Sequence, residues 1–119
     1  MKRLIVVDDE TGFCEYVANV AADLGYEVRM CNNSRELEKT YDEFDPAVIM
    51  LDMVMPDVDG IEIIKWLVAK QCSAKLIVTT GYNPQYAKMA SLFGTTKGIQ
   101  SVTTLGKPVR LADLRAALA

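Results

Sequence analysis

MLDMVMPDVDG, residues 50–60, opens inside an apolar run, Ala47 to Leu51, and breaks that run with a carboxylate at Asp52. A charge at the rim of a core is costly unless something pairs with it. Near the N-terminus LIVVDDE, residues 4–10, repeats the arrangement, with an apolar run closed by Asp8, Asp9 and Glu10. Short apolar runs of this kind read as buried strands, so two strands end on acids. Whether those ends meet decides both the fold and the chemistry.

Working outward, five β-like runs alternate with five helix-like runs, the pattern of an α/β domain built on a parallel sheet. The strands read as residues 4–7, 26–30, 47–51, 75–79 and 101–105. Apolar residues at helical spacing mark the intervening helices. Their expected inner faces are Phe13, Val17, Val20 and Leu24; Leu37, Tyr41 and Phe44; Ile61, Ile64, Leu67 and Val68; Tyr86, Met89 and Phe93; and Leu111, Leu114 and Leu118. Thr11 and Ser34 are the candidate N-caps, and Gly25 closes the first helix. Runs one, three and four are almost unbroken apolar residues, as central strands covered on both faces should be. Glu27 and Arg29 interrupt the second run and Thr103 and Thr104 the fifth, which places both at the edges. The order is therefore 2-1-3-4-5, a flavodoxin-like doubly wound fold, with ligands expected where the order reverses between strands one and three. Asp8, Asp9 and Asp52 converge at that point.

Bulk properties narrow the field. At 119 residues the chain suits one domain, residues 1–119, and its composition, 50% hydrophobic and 24% charged, is that of a globular protein. A net charge of −3 and the lack of a basic stripe argue against nucleic-acid binding through this domain. There is no histidine, which excludes Cys/His zinc sites and Cys–His nucleophiles, and Cys14, Cys31 and Cys72 show no paired spacing. They are expected to be reduced, buried thiols of a cytoplasmic protein. No apolar segment approaches transmembrane length and the N-terminal run is too short for a signal peptide, so no membrane partner is expected.

Three acids at one sheet edge repel one another and call for a cation. With oxygen donors alone the choice falls on Mg²⁺, with Mn²⁺ or Ca²⁺ as alternatives. Solvated loop acids are the plainer reading for any one of them, but acids at both central strand ends make it the weaker one. The fourth strand ends in Thr79-Thr80-Gly81 and the fifth in Leu105-Gly106-Lys107-Pro108. The rim thus gathers carboxylates, a hydroxyl and an ammonium, groups suited to a tetrahedral anion. An aspartate there can itself act as the nucleophile in phosphoryl transfer.

On these residues the chain resembles the response-regulator receiver domains of bacterial two-component signalling. The motifs are VDDE (7–10), D-x-x-x-P-x-x-x-G from Asp52 through Pro56 to Gly60, Thr80-Gly81 and Lys107-Pro108. The resemblance implies that Asp52 is the phosphorylation site, taking its phosphoryl group from a sensor histidine kinase or histidine phosphotransfer protein. It implies Mg²⁺ bound by Asp9 directly, by Asp8 through water, by Asp52 and by the Val54 carbonyl. Thr80 and Lys107 would hold phosphoryl oxygens; Thr79 competes with Thr80, and Gly81 after Thr80 favours the latter. Glu10 is expected to be a solvated acid rather than a ligand. An output protein or domain would be engaged through the face of helix four, strand five and helix five. A domain of this kind catalyses its own phosphorylation and dephosphorylation without being a conventional enzyme.

Two departures stand out. Thr104 holds the place, three residues before Lys107, where the family usually has an aromatic, and Tyr82 or Tyr86 are the possible substitutes. LFGTTKGIQ, residues 92–100, is longer than the usual turn between helix four and strand five and implies an extended helix or loop. Val54 offers no group to orient an attacking water, so dephosphorylation is expected to be slow. The competing readings are an Asp-nucleophile phosphatase for small esters, a flavin- or nucleotide-binding module, and a degenerate receiver that acts only as an interaction module. The phosphatase lacks its second acid at Val54, and the module lacks a glycine-rich loop after strand one.

Overall fold

Every strand-like run becomes a strand and is followed by a helix: β1 (Lys2–Val7), α1 (Thr11–Asp23), β2 (Tyr26–Cys31), α2 (Ser34–Phe44), β3 (Val48–Asp52), α3 (Gly60–Ala69), β4 (Lys75–Thr80), α4 (Pro84–Thr96), β5 (Val102–Gly106) and α5 (Leu111–Leu118). This computed structural model describes residues 2–81 and 84–119, without the side chains of residues 84, 86 and 87. All pairings in the sheet are parallel and the order is β2-β1-β3-β4-β5, as the strand compositions require. The apolar strands β1, β3 and β4 are central. Alternate residues of each strand feed opposite cores. Ile5, Val7, Ile49, Leu51, Leu76 and Val78 pack with residues of α2, α3 and α4. Leu4, Val6, Val48, Met50 and Ile77 pack with those of α1 and α5.

Register fixes the geometry of the rim. Val7 pairs with Leu51, so Asp8 and Asp52 leave the sheet level with one another on neighbouring strands. Asp52 pairs with Thr79, and Thr80 with Gly106, which brings Lys107 in from the far side.

Local signals differ from the sequence reading in three places. The N-caps are Glu10 and Asn33, one residue before Thr11 and Ser34. Asn33 accepts from the Glu36 amide, while the Ser34 hydroxyl is drawn instead to Asp57. Leu24, Met89 and Leu111 turn outward; the inner face of α1 is Cys14, Val17, Val20 and Ala21. In α4 the core side carries Ala90 and Gly94, because a Cβ on Gly94 would lie 3.3 Å from Val102 Cγ2. Small residues let that helix approach β5, and Met89 and Leu92 are left 60% and 68% exposed. Residues 92–96 extend α4, which ends with Gly98 at φ +112° and the Ile99 amide donating to the Gly94 carbonyl at 2.8 Å. This is a glycine-terminated Schellman end. Gly25, at φ +90°, closes α1 as its sequence position suggests.

Candidate functional site

The three acids meet. One oxygen from each of the Asp8, Asp9 and Asp52 carboxylates falls within a group spanning no more than 4.8 Å. Asp8 and Asp52 are buried and Asp9 is exposed, so the cluster has a floor and an open side. Backbone geometry aims them: the Glu10 amide donates to Asp8 Oδ1 at 2.9 Å, and the Val54 amide donates to Asp52 Oδ1 at 3.1 Å.

Lys107 supplies the counter-charge. Its Nζ lies 2.7 Å from Asp8 Oδ2, 3.4 Å from Glu10 Oε1 and 3.5 Å from Asp52 Oδ2. The Phe13 ring stands beneath it, with the centroid 4.6 Å from Nζ, within cation–π range. Burial works against the ammonium, but the Asp8 hydrogen bond and the charges of Asp52, Asp8 and Glu10 outweigh it, and its pKa rises above the ordinary lysine value. Asp52 is also raised. Burial is the main cause and Asp8 adds to it, against the Val54 amide and Lys107. An oxyanion held among neighbours that disfavour it gains by taking on a cation.

The remaining candidates lie around this centre. Thr79 is fully buried, and its hydroxyl donates to the Leu51 carbonyl at 3.5 Å. Thr80 ends β4 beside Gly81, and its carbonyl accepts from the Lys107 amide at 2.8 Å. Val54 is exposed and bridges to Asp59 across the loop that carries Pro56. Gly60 has a steric reason to lack a side chain: a Cβ there would stand 2.7 Å from Met53 Cα. The cleft over the acids has a volume of about 810 Å³, walled by Phe13, Tyr16, Met55, Pro56 and Pro108 among others. Thr104 is exposed on β5. Tyr82 and the Tyr86 side chain lie outside the described residues.

Some participants were not visible in the sequence. Phe13, assigned to the core, is half-buried at the cleft under Lys107, and Glu10, solvent-exposed as expected, also reaches that lysine from the open side. Nothing in the spacing announces either contact, because both depend on where the β5–α5 segment returns. Cys14 lies under the site, where burial and Asp8 push its thiol up to about 11. All three cysteines are free and buried, as expected.

Comparison with known proteins agrees with this arrangement. The family described as response regulator receiver domain matches residues 4–119. The chain belongs to that family. Chemotaxis protein CheY of Listeria monocytogenes is 35% identical to this receiver over 86 residues, which cover 71% of this chain and 72% of that protein. Sporulation initiation phosphotransferase F of Bacillus subtilis is 24% identical over 117 residues, 98% of this chain and 90% of the relative. The solved structure of chemotaxis protein CheY4 from Vibrio cholerae superposes with a TM-score of 0.85 at 24% identity, covering 99% of this chain and 96% of that one. At that identity the likeness speaks to the fold. Receiver domains of this kind interact with histidine kinases and downstream output domains. Among the described residues no helix is long and apolar enough to cross a membrane.

The donor set of this receiver fits a hard divalent cation. Three carboxylates converge, the chain has no imidazole, and among the described residues no cysteine sulfur joins the cluster to favour a softer metal. The phosphatase and flavin readings are not favoured by the family assignment.

Proposed function

We propose that this receiver is a phosphoacceptor, with Asp52 taking a phosphoryl group from the phosphohistidine of a partner kinase or phosphotransfer protein. In that step an Asp52 oxygen attacks phosphorus and the new P–O bond replaces the P–N bond. The leaving imidazole nitrogen keeps the bonding electron pair and takes up a proton. Asp8, Asp9, Asp52 and the Val54 carbonyl would hold Mg²⁺, which when bound offsets charge on the transferring group. Lys107 moves from pairing carboxylates to pairing a phosphoryl oxygen, and the Thr80 hydroxyl donates to another. Phosphorylation adds about −1.5 to −2 charges at neutral pH. The β4–α4 and β5–α5 loops respond, shifting the face made by α4, β5 and α5 toward its output-binding form.

The observation that carries this reading is the convergence of three carboxylates within 4.8 Å, with an ammonium 3.5 Å from Asp52. That leaves one acid with both a metal site and a counter-charge beside it. The degenerate alternative is the less favoured one, because the acids, the hydroxyl and the ammonium are all in place.

Intact mass after incubation with Mg²⁺ and acetyl phosphate tests it. One phosphate is expected on the parent, none on Asp52→Asn, and none with EDTA. Val54 leaves no side chain to orient water, so the adduct should persist for minutes or longer. A parent that stays unmodified while binding Mg²⁺, by acetyl phosphate and by a phosphorylated histidine kinase alike, would turn the assignment toward an interaction module.

A further inference from the structure

The turn between β2 and α2 touches both acid-bearing loops, although none of its residues belongs to the acid cluster. On one side the Asn32 Nδ2 donates to the Asp8 backbone carbonyl at 3.1 Å. On the other, the Ser34 amide and hydroxyl donate to Asp57 Oδ2 at 3.1 and 2.7 Å. Asp57 sits on the segment between Asp52 and α3, the segment that also carries Val54. The turn itself is stiffened: the Asn33 side chain accepts from the Glu36 amide at 2.9 Å, and Glu36 reaches back to the Asn32 amide at 2.7 Å. This reciprocal arrangement is a capping box displaced by one residue.

The geometry points to this turn as the outer frame of the metal site, with Asn32, Ser34 and Asp57 as positioning residues that set the spacing between the Asp8 side and the Asp52–Val54 side. The inference rests on the phosphoacceptor reading for its purpose, but its structural claim is independent of it. A metal site works when its ligands are held by partners behind them, and such outer partners commonly matter by about 10- to 100-fold in affinity. Asp8 is already fixed by β1 and by the Glu10 amide. The start of the loop after Asp52 is held by the Met53 amide on the Thr79 carbonyl, the Val54 amide on Asp52 Oδ1, the Val54–Asp59 bridge and the Gly60 amide on the Met53 carbonyl, and its middle by the Ser34–Asp57 tether. Losing the tether frees the middle of that loop, where the Val54 carbonyl would have to face the cation.

Four variants on the Asp57 side, one on the Asp8 side and two primary readouts test the frame. The variants are Ser34→Ala, Asp57→Asn, their double and Ser34→Thr as the conservative control on one side, and Asn32→Ala on the other. The first readout is the Mg²⁺ dissociation constant by calorimetry. The second is amide hydrogen exchange at Met53 and Val54 without metal, and thermal midpoints report on the fold. Ser34→Ala and Asp57→Asn are each expected to weaken Mg²⁺ binding about tenfold, the lower bound for outer partners, and to speed Val54 exchange. The double should be no worse than Asp57→Asn alone, and Ser34→Thr should match the parent. Acetyl phosphate labelling should fall at low Mg²⁺ and recover at saturating Mg²⁺, a change in metal requirement rather than in the chemical step. Asn32→Ala should weaken Mg²⁺ in the same way from the Asp8 side. If Ser34→Ala lowers the thermal midpoint but leaves both Mg²⁺ affinity and Val54 exchange at parental values, the bond is only a helix cap and the frame is wrong. Additive losses in the double would assign the Asp57 effect to its charge, which also overturns it. A parent that binds no Mg²⁺ defeats the phosphoacceptor reading, while Val54 exchange still decides whether the tether holds the loop.

Discussion

Lys107 meets four groups at once, the carboxylates of Asp8, Glu10 and Asp52 and the face of Phe13, and what it does depends on whether another cation is present. Without metal it is the only ammonium or guanidinium paired with the buried acids among the described residues. Removing one partner of a buried pair costs about 3–5 kcal/mol, and since this site opens on a cleft Lys107→Ala should cost less, about 2 kcal/mol. With Mg²⁺ saturating, the cation takes over much of that compensation, so the difference from the parent should shrink by half or more. Urea unfolding of both proteins with and without Mg²⁺ measures it, and an equal difference in both conditions would contradict the account. The pH dependence has a definite sign. A lysine whose pKa is raised by folding contributes stability that is fully present below its unfolded value, about 10.4. That contribution is lost only as pH climbs through the folded value, so no change from this group is expected near neutrality. The sequence placed Lys107 at the rim correctly, since a strand end fixes where a residue emerges. It did not reveal Phe13 or Glu10 as companions, because their contacts are made across elements more than ninety residues apart, such as the 97 separating Glu10 and Lys107.

At the scale of elements, four helices end on a left-handed residue, and two of them, α2 at Asp45 (φ +49°) and α3, do so without glycine. Gly25 and Gly98 follow α1 and α4 at φ +90° and +112°, whereas Gln71 follows α3 at φ +56°. The bonds there are the same in kind: the Gln71 amide donates to the Val68 carbonyl at 3.0 Å and the Cys72 amide to Leu67 at 3.1 Å. A side chain in that region costs about 1–2 kcal/mol, and glycine returns part of it as extra freedom in the unfolded chain. Gln71→Gly should therefore stabilise the domain by about 0.5–1 kcal/mol, read as a higher urea midpoint at unchanged slope. A lower midpoint would mean that the Gln71 side chain contributes packing beside Cys72 and Ile99. Gly25 was legible because its residue type is the signal, and Gln71 was not because nothing in its type announces a positive φ. The N-caps show a similar limit. Thr11 and Ser34 belong to the preferred types, yet Asn33 caps α2, and Ser34 is taken by Asp57, 23 residues away. On α4 Phe93 packs against the core as expected, but Met89 does not: a large apolar residue marks a core face only when the helix stands off far enough to seat it, and Gly94 lets α4 come closer.

At the scale of the molecule, the strand order followed from composition alone, because only central strands are covered on both faces, and the order then dictated that Asp8 and Asp52 emerge side by side. The frame behind them stayed hidden, since it links residues of separate loops that carry no common motif. Bringing acids 44 residues apart in sequence to one point has a cost that the folded chain bears and the unfolded chain does not. A cation that needs all of them therefore binds the folded state almost exclusively, and its binding free energy becomes folding free energy. At a Mg²⁺ concentration of 100 times the dissociation constant the gain is about 2.7 kcal/mol, which for a domain of this size raises the thermal midpoint by on the order of ten degrees. NaCl at matched ionic strength only screens the repulsion and should give a smaller, non-saturating rise. Asp52→Asn relieves repulsion in the core of the cluster, so it should melt above the parent without Mg²⁺ and lose most of the response to it. Scanning calorimetry of the two proteins across a Mg²⁺ titration decides the matter. Matching curves in MgCl₂ and NaCl, or an undiminished response in Asp52→Asn, would show that the acids share a rim without sharing an ion. The phosphoacceptor reading would then lose the cation on which its charge balance depends.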